Sequence, residues 1–270
     1  MHLSRTARIV LGGITAAGLA LIHLPLLLVV VNSLNADRSF AWPPSALTGE
    51  WWRRALHSPG PRDALWTSLQ AGLGATAVAL VLGSLAAFAV HRHRFFGRRT
   101  VSFLLVLPIA LPGIVTGIAL NAAFRTVLAP LGVGLGLFTV VAGHATFCVV
   151  IVFNNVAARL RRIAPSLAEA SADLGAAPRQ TLRYVTLPAL LPALFAGALL
   201  AFALSFDEVV VTTFTAGAGT TTLPIWIYQN LSRPRQAPVV DVLAALLIAL
   251  SVIPVYAAQR LSSDPAGGRL

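Results

Sequence analysis

The sequence predicts an all-α membrane protein with six transmembrane helices in a single domain over 1–270. Of its 270 residues 57% are apolar and 11% are charged, whereas a soluble domain carries about a quarter charged residues. The mean hydropathy is +0.79. A spanning helix needs about 20 apolar residues. Six runs meet this length: 9–31, 66–90, 101–124, 133–156, 189–213 and 239–258.

The first run is interpreted as an uncleaved spanning helix, and the second as a spanning helix with small residues that allow close packing. Arg5 and Arg8 precede the first run, an arrangement that signal peptides share. The run is longer than a typical signal-peptide core and five more runs follow, so we predict that it stays in the protein. The second run contains Gly72, Gly83 and Ala87, small residues that let helices approach closely.

Later runs carry prolines and a few polar side chains. Pro108 and Pro112 lie in the third run and Pro192 in the fifth. Each frees a backbone carbonyl that a neighbouring helix or water must satisfy. In the fourth run we interpret His144 as a polar contact inside the bundle and Cys148 as a small buried hydrophobe. The sixth run is followed by a short polar tail, 261–270, which we expect to be mobile.

The charged residues exclude several classes of protein. All 20 basic residues are arginine, so neither a P-loop lysine nor a lysine Schiff base is available. One cysteine allows no internal disulfide and no cysteine cluster. The net charge of +11 does not indicate nucleic acid, because long stretches of the chain carry no charge at all. We predict no catalytic residue, no metal site and no cofactor.

The arginine distribution predicts the orientation in the membrane. Thirteen arginines lie at the two ends of the chain and in the loops after the second and fourth runs, and seven lie in the other loops. Cytoplasmic loops collect the excess of basic residues. Both termini are therefore predicted to be cytoplasmic, with a coupling loop over 157–187 on the same side.

The loop over 32–65 is the longest segment on the other side, and it contains Trp42, Trp51 and Trp52. Tryptophan at a membrane boundary usually anchors the chain there. The alternative is a docking surface for an external partner, and Trp51 and Trp52 are its candidates.

The segment from Glu169 to Pro188 is polar, although long apolar runs flank it. Ser166 and Glu169 have the spacing of a capping box, and Gly175 suits the position just after a helix end. Pro178 would restart the chain. We predict a short amphipathic helix, a tight turn and a second short helix. The small alanine face favours a protein groove over the membrane surface, where larger side chains are usual.

The same segment resembles the EAA loop of ABC importer permeases. That motif reads E-A-A, three residues, G, nine residues, I, one residue, L-P. Here Ala is replaced by Ser and Ile by Val, and the spacing is intact. The matching residues are Glu169, Ala170, Ser171, Gly175, Val185, Leu187 and Pro188. The resemblance implies the type I importer fold and a coupling helix that sits in a cleft of a separate ATPase subunit.

Under this resemblance, Asp173 inside the motif joins the ATPase-coupling residues. It also implies the partners: an ATPase homodimer, a second permease subunit, an extracytoplasmic solute-binding protein and the lipid bilayer. The mechanism would be alternating access, driven by ATP that another subunit hydrolyses.

The runs 203–211 and 220–228 are similar to the spermidine/putrescine permeases and to their aminoethylphosphonate relatives. Within the first of these runs, Asp207 and Glu208 are ionisable residues at membrane depth, where such residues usually have a function. Neighbours on a helix point about 100° apart. We therefore expect one carboxylate to face the cargo path and the other to pair with arginine or water.

The resemblance implies a polyamine as the first candidate cargo, and the acidic pair suits it because carboxylates can replace the water around ammonium groups. One departure opens an alternative: Gly113 stands where the polyamine permeases resemble S-P-D-I-V and carry an acidic residue. The cargo could then be another solute, such as aminoethylphosphonate. A further alternative is an ion-coupled secondary transporter, although we find no inverted repeat of the kind such folds often show.

Overall fold

The computed structural model describes residues 4–37, 42–93, 95–233 and 236–262, without the side chains of 254, 255 and 257–262. Most of the predicted polar tail therefore lies outside the described residues. The described residues form twelve α-helices and no strand beyond one antiparallel bridge between Asn35 and Leu47. The helices are α1 (Arg5–Asn32), α2 (Glu50–His57), α3 (Pro59–Arg92), α4 (Arg98–Ala110), α5 (Gly113–Val127), α6 (Leu137–Leu160), α7 (Pro165–Asp173), α8 (Pro178–Thr181), α9 (Leu187–Phe206), α10 (Val210–Thr215), α11 (Leu223–Asn230) and α12 (Ala237–Ser262).

The all-α membrane class is confirmed. Five helical stretches of the described chain are long and apolar enough to cross a bilayer: Arg5–Asn32, Pro59–Arg92, Gly113–Leu131, Leu137–Leu160 and Pro178–Phe206. The sixth predicted run, 239–258, falls within α12, whose stretch Ala237–Ile253 is a shorter apolar helix. The prediction of one domain over 1–270 stays a prediction.

Two of the predicted continuous spans are interrupted, and here the sequence prediction is wrong. The run 101–124 is divided between α4 and α5, with Leu111 extended at φ −82° and ψ 143°. Pro112 causes this break, because proline disfavours the helical conformation of the residue before it. The run 189–213 is divided between α9 and α10, and the acidic pair Asp207 and Glu208 lies in the gap.

The chain divides into two compact units. In the unit Asp63–Ile225 with Leu250–Leu270, α6 is the central helix and contacts α4, α9 and α10. Its apolar core joins Phe147, Val152 and Val156 of α6 to Ala79 of α3 and Leu190 of α9. α6 is therefore the element against which the other helices of this unit are placed.

Small residues allow the close approaches predicted for the second run. A Cβ on Gly83 would lie 2.8 Å from the Val149 carbonyl oxygen of α6. A Cβ on Gly72 would lie 2.9 Å from the ring of Phe202 in α9. Ala87 is fully buried. The prediction that these three residues bring helices together is confirmed.

In the other unit, Met1–Arg62 with Trp226–Ala249, hydrogen bonds join Asp37 to Ser45 ahead of α2. Asp37 accepts hydrogen bonds from the Ser45 amide at 3.1 Å and the Ser45 hydroxyl at 2.7 Å. These bonds hold the pKa of Asp37 below its ordinary value. In the same unit, no described residue of α1 is buried, although α1 is strongly apolar.

Candidate coupling loop and cargo site

The first helix of the coupling loop, α7, begins at Pro165, so the predicted capping box is wrong. Its N-cap is Ala164, which is extended at φ −62° and ψ 128° and makes no side-chain cap bond. Proline pushes its predecessor into this conformation and is itself favoured as the first helical residue. The helix consequently starts two residues earlier than the capping box predicts, and Ser166 lies inside it.

The end of α7 forms a Schellman motif, as the predicted role of Gly175 requires. Gly175 has φ +80°, its amide donates to the Ala172 carbonyl at 2.8 Å, and the Ala176 amide donates to the Ser171 carbonyl at 3.1 Å. These two bonds satisfy carbonyls that a helix end would otherwise leave free. Only glycine adopts this left-handed conformation without a steric penalty.

A second set of contacts joins α7 to the helix that follows. The hydroxyls of Ser171 and Thr181 lie 3.0 Å apart. The Ala177 amide donates to Gln180 Oε1 at 2.7 Å, just ahead of α8. Ser171, which stands where the motif has alanine, thereby ties the first short helix to the second. We call this bent segment, from Pro165 to Thr186, the elbow.

A wide π-helical turn, Leu182–Thr186, connects α8 to α9. The Leu187 amide donates to the Leu182 carbonyl, five residues earlier. Pro188 follows, and it has neither an amide hydrogen nor room for the carbonyl four residues before it. Leu187 and Pro188 therefore mark the point where the coupling loop becomes a membrane helix.

The loop is exposed and presents apolar side chains. Leu174 is 89% exposed and Leu167 is 51% exposed. Among the predicted coupling residues, Ser171 is half-buried and Glu169, Ala170, Asp173, Gly175, Leu187 and Pro188 are exposed. Glu169 also lines a cleft of about 510 Å³ together with Ala172 and the end of α3. The exposed leucines of the elbow favour binding of this loop to a protein partner.

The two acidic residues of the α9–α10 gap have different surroundings. Glu208 Oε1 accepts a hydrogen bond from the Val211 amide at 2.9 Å, so this carboxylate caps the first turn of α10. The Asp207 side chain is exposed, and no other described residue donates a hydrogen bond to its carboxylate. The pair thus divides into a structural carboxylate and an accessible one, although the partner of Glu208 is backbone rather than arginine or water.

The two interrupted spans meet at these gaps. A Cβ on Gly113, the first residue of α5, would lie 3.3 Å from Cγ1 of Val210, the first residue of α10. The position at which polyamine permeases carry an acidic residue therefore lies beside the gap that holds Asp207 and Glu208. Unwound segments of paired helices are where membrane transporters commonly place their solutes.

Trp51 and Trp52 are parts of the fold of the loop before α3, whereas Trp42 is 64% exposed. Trp51 is 6% exposed, and its Nε1 donates to the Asn35 carbonyl at 2.9 Å. Trp52 is half-buried, and its Nε1 donates to Ser33 Oγ at 3.3 Å. The burial of Trp51 favours a structural role for that ring, and the docking role of the pair stays a prediction.

The chain matches a family described as "Binding-protein-dependent transport system inner membrane component" over residues 79–264. It belongs to this family. It is also 34% identical over 261 residues to the spermidine/putrescine transport system permease protein PotC of Escherichia coli K12, with 97% of each chain covered. It is 30% identical over 252 residues to the putative 2-aminoethylphosphonate transport system permease protein PhnV of Salmonella typhi, covering 93% of this chain and 94% of that one.

A solved bacterial ABC transporter involved in the import of the acidic polysaccharide alginate shares the fold. The TM-score is 0.67 at 18% identity, with 97% of this chain and 98% of that chain covered. The family match and the 34% identity to PotC confirm the resemblance to ABC importer permeases, and the ion-coupled secondary transporter is set aside. The chain is a membrane-spanning permease subunit of an ABC importer, and it is a transport component of the inner membrane.

Proposed function

We propose that this permease carries a polyamine such as spermidine or putrescine across the inner membrane by alternating access. The observation that carries this proposal is the accessible Asp207 carboxylate in the gap between α9 and α10, the two halves of an interrupted membrane run. The similarity to PotC, whose name states spermidine and putrescine transport, supports the same cargo.

The chemistry of the gap suits an ammonium group. Asp207 follows the C-terminal end of α9, where backbone carbonyls give the helix end a partial negative charge. A carboxylate at that end adds a full charge and accepts charge-assisted hydrogen bonds, which are about twice as strong as neutral ones. One ammonium group of the cargo would bind there and replace the water that it loses.

A second candidate cargo is 2-aminoethylphosphonate, and Gly113 favours it. This solute has a single ammonium group, so it needs fewer carboxylates than a polyamine does. Gly113 occupies the position where the polyamine permeases carry an acid, and it lies beside the gap. PhnV, whose name states aminoethylphosphonate transport, covers almost the whole chain.

The cargo test is uptake of labelled spermidine, putrescine and aminoethylphosphonate by vesicles that contain the complete importer. Asp207→Asn removes a charged acceptor worth about 1.5–3 kcal/mol, so uptake of the true cargo should fall roughly 10- to 150-fold. Glu208→Gln is the matched control, because the glutamine oxygen can still accept from Val211. Unchanged uptake of every amine in Asp207→Asn would remove this gap from the cargo path.

We also propose that the elbow couples the permease to a separate ATPase, a homodimer that supplies the energy. The residues are Glu169, Ala170, Ser171, Asp173, Gly175, Leu187 and Pro188. The exposure of the elbow, its two hydrogen-bonded turns and its agreement with the EAA motif support this assignment. A second permease subunit would complete the translocation path.

The coupling test is co-purification of the permease with candidate ATPases. Glu169→Lys reverses the charge of an exposed residue at the elbow, so we expect the ATPase to be lost. Glu50→Lys makes the same change on the exposed first turn of α2 and should retain the ATPase. Retention in both variants would count against coupling through the elbow.

The orientation and the external partner complete the proposal. Both termini and the elbow would face the cytoplasm, as the arginine distribution indicates. A solute-binding protein would dock on the opposite side, near Trp52, while Trp51 supports the loop from inside. Single cysteines placed on the two sides of the membrane and labelled with a membrane-impermeant reagent test the orientation. Labelling of the elbow from outside would show that the orientation is the opposite of the one proposed.

A further inference from the structure

His144 in α6 connects the two halves of the interrupted helix. Its side chain is fully buried. Nδ1 lies 2.7 Å from Ser205 Oγ of α9, and Nε2 lies 2.8 Å from Thr212 Oγ1 of α10. The imidazole therefore holds one residue before the gap and one residue after it, while the gap itself contains Asp207 and Glu208.

The hydrogen-bond directions in this cluster follow from a proton count. Thr212 Oγ1 donates its only proton to the Glu208 carbonyl at 2.8 Å. Thr212 can therefore only accept from the imidazole, so Nε2 carries a proton. In a neutral ring Nδ1 is then the acceptor, and Ser205 donates to it. The chain of donors runs from Ser205 through His144 and Thr212 to the backbone of the gap.

We call the hydrogen-bonded chain of Ser205, His144 and Thr212 the relay. Two further hydrogen bonds from α6 lie on either side of it. Thr139 Oγ1 donates to the Thr215 carbonyl of α10 at 2.7 Å, and Cys148 Sγ lies 3.3 Å from the Ala201 carbonyl of α9. Each of these two bonds holds one half of the interrupted helix. Of these three α6 side chains, His144 is the one that bonds to both halves, and its relay ends in the gap itself.

We infer that His144 is a positioning residue for the cargo site: it fixes the backbone of the gap and so sets the direction of the Asp207 carboxylate. An apolar side chain could fill the same space, but it would leave the Ser205 hydroxyl without its acceptor and would remove the bond that Nε2 donates to Thr212, whose own bond to the Glu208 carbonyl would remain. What the imidazole adds is directed bonds on both sides of the gap. This inference rests on the proposed cargo role of Asp207.

The test uses Asp207→Cys as a reporter, because the native Cys148 is buried and should react slowly. The rate at which a positively charged thiol reagent modifies residue 207 reports the accessibility of that position. Thr212→Val removes the hydroxyl in the middle of the relay, and we expect the rate to change at least severalfold. Thr213→Val is the control: Thr213 is exposed, and its hydroxyl donates to the Val209 carbonyl of its own turn at 2.7 Å.

His144→Gln and His144→Asn separate the two arms of the imidazole. A glutamine amide reaches the Nε2 position and keeps the bond to Thr212, whereas an asparagine amide reaches the Nδ1 position and keeps only the bond to Ser205. With Asp207 in place, we expect spermidine uptake in His144→Gln to exceed that in His144→Asn by about tenfold, the value of one buried hydrogen bond. Combining His144→Asn with Asp207→Asn should lower uptake no further than Asp207→Asn alone.

The outcomes distinguish this inference from the proposed function. The positioning role would be overturned if Thr212→Val and His144→Asn left the labelling rate unchanged. It would also be overturned if the fold losses of uptake in His144→Asn and Asp207→Asn multiplied in the double variant. A relay-dependent labelling rate together with amine uptake that ignores Asp207→Asn would overturn the proposed cargo site and leave the positioning by His144 standing. Sensitivity in both measurements supports both.

Discussion

Replacing Gly175 by alanine tests whether the shape of the elbow transmits force. Gly175 closes α7 with φ +80°, and a Cβ at this position would meet no atom within 4 Å. The only penalty is therefore the left-handed backbone, which costs an alanine about 1–2 kcal/mol. That penalty lowers the equilibrium ratio between elbows in which the turn at Gly175 is formed and elbows in which it has unwound, by roughly 5- to 30-fold.

The assay is the amount of cargo imported per ATP hydrolysed by the complete importer in liposomes. Gly175→Ala should lower this ratio severalfold while the amount of permease in the membrane stays the same, because the fold of the spanning helices is untouched. Gly175→Asn should fall between alanine and the native residue, since asparagine tolerates the left-handed region better than alanine does.

Gly132→Ala is the matched control for this experiment. Gly132 has φ +79°, and no atom lies within 4 Å of a Cβ built on it, so the backbone penalty is the same at a turn outside the elbow. It should leave the import ratio unchanged. Equal ratios for Gly132→Ala and Gly175→Ala would refute the idea that the geometry of the elbow carries the coupling.

Three further predictions concern stability. Gly117→Val should lower the thermal stability of the detergent-solubilised permease by about 1–3 kcal/mol, because a Cβ there would lie 2.5 Å from the ring of Phe214; Gly134→Val, with open space around it, should not. Trp51→Phe should cost about 1–3 kcal/mol through the lost hydrogen bond to a backbone carbonyl, and Trp51→Ala about 3–5 kcal/mol, both read from the denaturation midpoint. The pKa of Asp37 is lowered in the folded state. The stabilisation from its contact with Ser45 is therefore complete above the ordinary aspartate pKa and is lost as the pH falls through the folded pKa. Asp37→Asn should abolish this acid-dependent step in proteolysis of the loop, and a step that persists would refute the assignment.

Features fixed by local stereochemistry could be predicted from the sequence. The long apolar runs gave the membrane class, and Gly175 predicted the end of α7 because a left-handed turn needs glycine. Gly72 and Gly83 predicted close helix approaches for a similarly local reason. Leu187 and Pro188 predicted the entry into the fifth span. All of these depend on residues within a few positions of one another.

The rest depends on interactions that no local pattern contains. Hydropathy averaged over about 20 residues hides an interruption of three residues, so the gap after α9 was missed although Asp207 and Glu208 marked it. Pro112 signalled the other break, but it was placed inside a continuous span. The capping box failed because Pro165 outweighed Ser166. His144 was expected to have polar partners, yet Ser205 and Thr212 are 61 and 68 residues away.

The exposure of α1 has a consequence for its evolution. No described residue of this helix is buried, so exchanging one aliphatic residue for another along it disturbs no interior packing of its own chain. Folding alone then requires little more than apolar side chains at these positions and a helix long enough to span the membrane. Any site on α1 that tolerates only one residue type in saturation mutagenesis would consequently mark a contact made with lipid headgroups or with a neighbouring subunit.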